Sequence, residues 1–238
     1  MKKELGSEKV KYRKIVRGQF GARINRFIAE VTINGVNERV HIKNTGRLKE
    51  LFRPDAEVLL EQSNNPERKT KFSLIAIEKN GRWVNIDSQA PNIVAFEALK
   101  EEKIPEIGMV KTVKREVKYG ASRFDLYIEQ ENKKGFIEVK GVTLEKNGIA
   151  MFPDAPTTRG TKHVLELAKA AQEGYACSIL FVVQLKGCHE FIPNRETDPA
   201  FADALHQAVK AGVQILAYDT IVTEEGLILD HSIPVNLV

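Results

Sequence analysis

The alternation of apolar and polar residues is sharpest in two segments, 123–128 and 136–141, which flank a polar turn at 131–135. A period of two broken by turn residues predicts an antiparallel β-hairpin. Side chains two apart on a strand share a face, so Glu138 and Lys140 should project together. Asp125 lies on the same face if it pairs opposite Glu138 or Lys140. A pairing register shifted by one residue would place Asp125 on the other face of the sheet.

These three side chains have a direct chemical use when they converge. Carboxylate oxygens suit Mg²⁺ or Mn²⁺, which keep several waters and leave positions open for phosphate. A metal held by Asp125 and Glu138 would polarise a phosphodiester, while Lys140 would hold the attacking water or offset charge on phosphorus. The alternative is a solvated hairpin face. Glu-x-Lys recurs elsewhere in this charge-rich chain, so context decides, and apolar residues flank only the copy at Glu138.

The first part of the chain shows the pattern of a small barrel. A short helix at 48–52, closed by Pro54, is predicted between the third and fourth strands of a set of five. That order is typical of an OB-fold barrel, which commonly binds oligonucleotides but also sugars and proteins. The predicted strands are 15–17, 25–33, 38–42, 56–61 and 72–78.

Basic and aromatic residues are interleaved in this part of the chain. Their combination predicts a charged groove with stacking rings, and the alternative is a solvated basic surface over core phenylalanines. Phe27 alternates with the apolar residues of its strand, which favours a core position. Arg23 and Arg47 adjoin turns, where side chains reach outward. The set is Arg17, Phe20, Arg23, Arg26, Phe27 and Arg47.

The second part of the chain mixes helices and strands around the hairpin. A helix is predicted at 92–100, where Glu97 at the edge of the apolar stripe is either a third metal-binding carboxylate or simply solvated. A second helix follows the capping residues Thr157 and Thr158, and its first turn carries Arg159, Lys162 and His163. These basic residues either grip a phosphate or face solvent.

The remaining pattern completes an α/β sandwich. Residues 179–183 form a continuous apolar run, as expected for a strand buried on both faces. Strands at 109–118 and 148–152 precede it, and a helix from Asp198 to Ala211 and a strand at 213–218 follow it.

Composition adds bounds rather than chemistry. The 238 residues are 42% hydrophobic and 29% charged, which is typical of a globular protein and enough for two domains, predicted at 1–88 and 89–238. No apolar run approaches a membrane span or a signal peptide, so we expect a cytoplasmic protein without a membrane partner. The net charge of +4 permits an anionic partner. Cys177 and Cys188 lack metal-site spacing.

Several short stretches together resemble the sugar fermentation stimulation protein A (SfsA) family. The resemblance implies an N-terminal OB-fold domain and a C-terminal α/β domain similar to the PD-(D/E)xK nucleases, in a protein that binds DNA. It departs from the nuclease pattern at Phe124, which occupies the proline position. The resembling stretches are 26–27, 44–48, 91–92, 122–125, 137–140, 152–155 and 159–163.

In that pattern Asp125 matches the first metal-binding aspartate, Glu138 the second acidic position and Lys140 the catalytic lysine. Glu97 resembles a helix glutamate of some members. One hypothesis is therefore a Mg²⁺- or Mn²⁺-dependent deoxyribonuclease, and the other is a non-catalytic DNA-binding regulator of sugar-utilisation genes that uses the nuclease fold as a scaffold. The predicted nucleic-acid-binding residues are Arg17, Arg23, Arg26, Asn44, Arg47, Arg123, Arg159 and Lys162.

Overall fold

The computed structural model describes residues 10–238, in which sixteen strands and three helices follow one another along the chain. In order, they are β1 Val10–Lys11, β2 Ile15–Arg23, β3 Ile28–Ile33, β4 Val36–Ile42, β5 Glu57–Gln62, β6 Phe72–Lys79, β7 Arg82–Asn85, α1 Ala90–Lys100, β8 Thr112–Tyr119, β9 Ser122–Glu129, β10 Lys134–Val142, β11 Leu144–Lys146, β12 Ile149–Phe152, α2 Thr158–Gln172, β13 Ala176–Val183, β14 Glu190–Pro193, α3 Pro199–Lys210, β15 Gln214–Thr223 and β16 Gly226–Ser232.

The first part of the chain forms a closed OB barrel, as predicted. Its strands pair in the order β4-β3-β2-β5-β6-β7, and a parallel pairing between β4 and β6, at His41–Ser73 and Ile42–Leu74, closes the sheet on itself. Apolar residues alternate on β3, where Ala29, Val31 and Ile33 point into the core. Closure removes free strand edges, which stabilises a small barrel.

Two details of the barrel differ from the sequence prediction. The segment 48–52 is a single turn in which the Leu51 and Phe52 amides donate to the Leu48 carbonyl, and no α-helix forms there. Leu48 has a φ of 50°, a left-handed backbone conformation that a helix cannot include. Its side chain is buried in the core, which holds the residue in that conformation.

Phe27 is the second correction, because its ring is 49% exposed instead of lying in the core. The Asn25 side-chain oxygen accepts hydrogen bonds from the amides of Phe27 and Ile28, at 2.9 and 3.0 Å. This Asx turn delays the start of β3 to Ile28. Phe27 therefore precedes the strand and does not continue its buried stripe.

The second part of the chain is an α/β domain around a seven-stranded sheet of order β1-β16-β15-β13-β10-β9-β8. Helix α1 packs on one face of this sheet, and α2 and α3 pack on the other, so β13 is buried on both sides. Strand β10 is parallel to β13 and antiparallel to β9. Strand β1 precedes the barrel in sequence yet pairs with β16 at the edge of this sheet.

The barrel and the α/β domain are joined by polar contacts that range from buried to exposed. The Lys79 ammonium lies 2.8 Å from a Glu145 carboxylate oxygen, and the Gln184 side chain donates to that of Asn85 at 2.8 Å. The Arg47 amide donates to Asp154 at 2.9 Å. No helix within residues 10–238 is long and apolar enough to cross a lipid bilayer.

Candidate active site

The register of the β9–β10 hairpin places Asp125 beside Glu138. The regular pairing of β9 and β10 ends with Leu126 opposite Ile137. Continued in the same register, it brings Asp125 opposite Glu138. One Asp125 carboxylate oxygen accepts a hydrogen bond from the Val139 amide at 2.8 Å, which replaces a regular ladder bond. This is the arrangement in which Asp125 and Glu138 converge, rather than the one shifted by a residue.

The backbone is irregular at this point of the sheet. Phe124 and Leu126, on either side of Asp125, are both buried but belong to core clusters on opposite faces of the sheet. On β8, Glu116 lies between the partners of these two residues and has a φ of 52°. A local irregularity of this kind re-aims side chains and is common next to functional sites. It leaves Asp125 half-buried between the two cores.

Glu138 is the most enclosed member of the site, with only 2% of its surface exposed. Its Oε1 atom lies 2.5 Å from the Lys140 ammonium and 2.7 Å from Nδ1 of His163. Its other oxygen, Oε2, is buried and has no hydrogen-bond partner within residues 10–238. An unsatisfied buried carboxylate oxygen costs about 1–3 kcal/mol or more, so an additional donor or cation at this atom would be stabilising.

The two carboxylates have opposite pKa shifts. Burial, together with the nearby charge of Glu138, raises the pKa of Asp125, against the opposing effects of the Val139 amide, Lys140 and Asn92. Burial also penalises ionised Glu138, but the hydrogen bond from His163 and the charge of Lys140 outweigh it and lower the pKa of Glu138. Ionised Glu138 therefore makes ionisation of Asp125 harder, and an additional cation would relieve this.

Asn92 and His163 brace the carboxylates from helices on the two faces of the sheet. The Asn92 side-chain amide, in the first turn of α1, donates to the second oxygen of Asp125 at 3.0 Å. The Thr157 hydroxyl caps α2 by accepting from the Gly160 amide, which fixes the turn that carries His163. Neither residue was predicted as a carboxylate partner, although both fall within stretches that resemble the SfsA family. No local periodicity could reveal contacts across 33 and 25 residues.

Gly141, next to Lys140, lets α1 approach the hairpin closely. A Cβ atom at Gly141 would lie 2.6 Å from the Gln184 amide oxygen and 2.7 Å from Cγ of Pro91. Both distances are far shorter than a van der Waals contact, so only glycine permits this approach. The start of α1 can then bring Asn92 to Asp125.

Glu97 lies at a different place on α1 from the one predicted for a third carboxylate. It is 6% exposed, its carboxylate is 3.6 Å from the Lys100 ammonium, and it lines a small pocket with Val10 and Leu227 at the β1–β16 edge of the sheet. Asn92, rather than Glu97, is the α1 residue that contacts Asp125. Five residues along a helix turn a side chain to a different face, which explains the difference.

Three of the predicted nucleic-acid-binding residues are engaged in contacts within the protein. The Arg17 guanidinium pairs with Glu57 at 2.8 Å and also with Glu224. Arg23 donates to four backbone carbonyls, those of Asn25, Arg26, Gly46 and Arg47, at 2.8–3.2 Å, and stacks on Phe52. Asn44 donates to the Ile86 carbonyl and accepts from the Gly46 amide.

The other predicted basic residues are exposed. Arg26 lies over the Phe27 ring, Arg123 is 3.3 Å from Glu116, and Lys162 is 3.8 Å from Glu166. The side chains of Arg47 and Arg159 make no hydrogen bond or ion pair with the described part of the chain. These five residues therefore keep charge that solvent or a ligand can reach.

A second group of metal-ligand type, Asp219, Asp230 and His231, lies on β15 and β16. The Lys186 ammonium already occupies its centre, 2.9 Å from Asp219 and in contact with Asp230. A fixed ammonium supplies the positive charge there, so this group is a salt-bridge cluster rather than a site prepared for a cation.

The closed OB barrel, followed by an α/β domain with a carboxylate–lysine hairpin, defines a protein that combines an OB domain with an α/β domain. Its sequence matches the family models "SfsA N-terminal OB domain" over residues 22–86 and "Sugar fermentation stimulation protein RE domain" over residues 89–226. The chain belongs to the sugar fermentation stimulation protein (SfsA) family.

Similar proteins agree over nearly the full length. A sugar fermentation stimulation protein homolog of Alkaliphilus oremlandii is 52% identical over 95% of this chain and 99% of that protein. One from Ruminiclostridium cellulolyticum is 48% identical over 96% and 100% of the two chains. The structure of Pyrococcus furiosus SfsA in complex with Ca²⁺ is 31% identical, covers 96% of this chain and 99% of that one, and has a TM-score of 0.85.

Proposed function

We propose that this protein binds DNA and hydrolyses its phosphodiester bonds with Mg²⁺ or Mn²⁺ held by Asp125 and Glu138. The observation that carries the proposal is Oε2 of Glu138, which is buried without a hydrogen-bond partner in the described part of the chain and lies beside the half-buried carboxylate of Asp125. An apolar or purely structural role would not require an unsatisfied oxygen at this position.

The residues present fit a divalent cation. Each carboxylate oxygen has two lone pairs, so Asp125 can accept from Asn92 and Val139 and still coordinate a metal. Metal ligands of this kind are usually held by hydrogen bonds from neighbouring groups, as Asn92 and His163 hold these two. Two protein carboxylates with open positions for water and phosphate suit Mg²⁺ and Mn²⁺.

The calcium complex of the Pyrococcus furiosus protein supports a divalent cation in this family. Calcium prefers the same oxygen ligands as magnesium but accepts a looser geometry. We infer that this chain shares a divalent-cation site with that protein.

In the proposed reaction the chain's own groups orient the carboxylates and balance charge. A bound cation would polarise the phosphodiester and lower the pKa of a bound water. Lys140, whose ammonium is held against Glu138, would orient the attacking water or offset charge developing on the phosphate. Asn92 and His163 hold the two carboxylates in place throughout, so little reorganisation is needed.

The exposed basic residues would hold the DNA backbone. Arg47 is on a loop whose amide contacts Asp154, and Asp154 precedes the α2 turn that carries Arg159 and Lys162. Exposed arginines and lysines typically meet phosphates and position the duplex without reading its sequence. We therefore propose DNA as the partner and the cytoplasm as the place of action.

A second candidate function is a DNA-binding regulator that no longer cleaves DNA. The observation in its favour is the Lys140–Glu138 ion pair, in which one carboxylate oxygen is already neutralised by a protein cation. A scaffold could keep this pair for structural reasons alone. It would then bind DNA equally well with and without Mg²⁺.

Cleavage assays with a matched pair of lysine variants distinguish the two functions. We would incubate the full chain with supercoiled plasmid and with single-stranded DNA, in Mg²⁺, Mn²⁺ or EDTA, and compare Lys140→Ala with Lys118→Ala. Lys118 ends another Glu-x-Lys triplet but is exposed on the neighbouring strand β8.

The nuclease proposal expects metal-dependent cleavage that falls by about 100- to 1,000-fold in Lys140→Ala and is unchanged in Lys118→Ala. Metal-independent DNA binding without cleavage, surviving Lys140→Ala, would instead establish the regulator. If neither cleavage nor salt-sensitive DNA affinity is found, both functions are wrong.

A further inference from the structure

Phe27 lies at the edge of a concave surface that the proposed reaction does not use. The pocket lies between the barrel and the start of α1, and its lining includes Phe27, His41, Lys43, Arg68 and Gln89. Phe27 is a large exposed aromatic residue on a rigid backbone, since its carbonyl accepts from the Ile42 amide at 2.7 Å and its amide is bound by Asn25. The exposed ring forgoes the free energy of burial and offers an aromatic face to a ligand.

The basic side chains around this pocket differ in whether an acidic side chain neutralises them. The Lys43 ammonium lies 3.2 Å from both Glu61 and Asp87, so its charge is compensated. The Arg68 guanidinium donates to the hydroxyls of Ser73 and Thr70, and it has no acidic partner within residues 10–238. With Arg26 above the Phe27 ring, the pocket has two cations available to an anion.

A polar group that could contact the edge of a ligand also lines the pocket. Nδ1 of His41 is buried and makes no hydrogen bond with any described residue. Burial and the nearby charges of Arg68 and Lys43 lower the pKa of His41, so the imidazole is neutral at neutral pH and can either donate or accept.

We propose that this pocket seats one unpaired nucleobase of a DNA strand, with its ring stacked on Phe27 and its flanking phosphates near Arg26 and Arg68. An aromatic face, a polar edge group and unpaired cations are the three parts of an unspecific single-strand site. A base inside a duplex is covered on both faces by its neighbours, so only an unpaired or extruded base can stack there.

The pocket lies near the proposed metal site, and the link between the two sites rests on the proposed function. Gln89 lines the pocket. Asn92, which donates to Asp125, lies three residues after Gln89, or about 5 Å further along the helix axis. A DNA strand with one base stacked on Phe27 would thus place a neighbouring phosphate near Asp125 and Glu138. The preferred substrate is then DNA with unpaired bases.

The test measures binding in EDTA, separately from any cleavage. Fluorescence anisotropy with a short labelled oligo(dT) and with a blunt hairpin duplex of the same charge would compare four chains: wild type, Phe27→Ala, Phe27→Leu and Met109→Ala. Met109 is a control because it is a large apolar residue that is 68% exposed and does not line the pocket. Circular dichroism would verify that each variant is folded.

We expect Phe27→Ala and Phe27→Leu to weaken oligo(dT) binding by about 10-fold or more while the duplex affinity changes less than about twofold. Met109→Ala should bind both DNAs like the wild type. An equal loss for both DNAs, or no loss for either, would overturn the pocket proposal even if metal-dependent cleavage is found. Selective loss without any cleavage would support the pocket and contradict only the nuclease proposal.

A fluorescence measurement tests the stacking itself. The chain has a single tryptophan, Trp83, so Trp83→Phe combined with Phe27→Trp gives one reporter at the pocket. Stacking on a base should quench this reporter as oligo(dT) is added. Unchanged emission at saturating oligo(dT) would contradict stacking of a base at position 27.

Discussion

The hairpin site and the arginines of the barrel use charged residues in opposite ways. In the site, Oε2 of Glu138 is buried without a hydrogen-bond partner among residues 10–238, and burial together with the charge of Glu138 raises the pKa of the half-buried Asp125. In the barrel, Arg17 and Arg23 are well supplied with acidic or carbonyl partners, so their charge is used within the protein. The two regions therefore differ in how completely their charged groups are hydrogen-bonded by residues 10–238.

The same contrast divides the barrel arginines among themselves. Arg23 joins the turn that precedes β3 to the loop at Gly46 and Arg47 through four backbone acceptors. The side chain of Arg26, three residues later, lies over the face of Phe27 and makes no hydrogen bond or ion pair within residues 10–238. A residue predicted to bind nucleic acid can thus be part of the scaffold that presents its neighbours.

The largest expected effect concerns the metal itself. Asp125→Asn removes one of the two charged ligands, and we expect Mn²⁺ affinity to fall by about 100-fold or more while the fold is retained. Isothermal titration calorimetry measures the change, and Asp203→Asn on α3, an exposed carboxylate paired with Arg195, is the matched control. Equal Mn²⁺ uptake by both variants would remove Asp125 from the metal site.

The next effect compares the two kinds of arginine. Arg23→Ala leaves four backbone carbonyls without their charged donor, so we expect the free energy of unfolding to fall by about 1.5–3 kcal/mol. Arg26→Ala should change it by less than about 0.5 kcal/mol, because an exposed side chain is removed. Urea denaturation measures both, and equal values would show that the scaffold role of Arg23 is wrong.

A smaller effect depends on pH. The folded protein holds the pKa of Glu138 below its value in the unfolded chain, which is about 4.3. Ionised Glu138 therefore stabilises the fold fully when the pH is above about 4.3. This contribution is lost as the pH falls through the lower pKa of the folded state. In EDTA at neutral pH, Glu138→Gln should therefore lower the free energy of unfolding by about 1–2 kcal/mol. The difference from wild type should shrink as the pH falls below about 4.3. A difference that grows on acidification would contradict the assigned shift.

The smallest effect is on DNA affinity. Arg47→Ala removes an exposed charge without disturbing the backbone bonds of that residue to Arg23 and Asp154. We expect binding to weaken several-fold for every DNA sequence, and the slope of log K against log salt to decrease by about 1. An unchanged slope at low salt would exclude Arg47 from the DNA surface.

Much of the architecture could be predicted because its signals are local. The period-two pattern predicted the hairpin, and Thr157 and Asp198 predicted the starts of α2 and α3, whose caps they form. The apolar run of β13 indicated a strand buried on both faces. Each of these features depends on residues within one or two turns of each other, so the sequence carries them directly.

The errors arose where a distant or unusual contact prevailed over the pattern. The Asn25 side chain delayed β3 and exposed Phe27, and the left-handed Leu48 replaced a predicted helix with a turn. Glu97 has the residue type of a metal ligand, but the rotation of α1 places it beside Lys100.

By itself, the sequence of this protein predicted its two fold types, the β9–β10 hairpin and the starts of α2 and α3, and it proposed Asp125, Glu138 and Lys140 as site residues. Only the tertiary structure decided that Asn92 and His163 brace the carboxylates, that Arg23 is internal and that Phe27 lies open beside a pocket. Periodicity reports which side of an element is buried. It does not report which polar atoms meet across 25 or more residues, because those contacts form only when whole elements pack together.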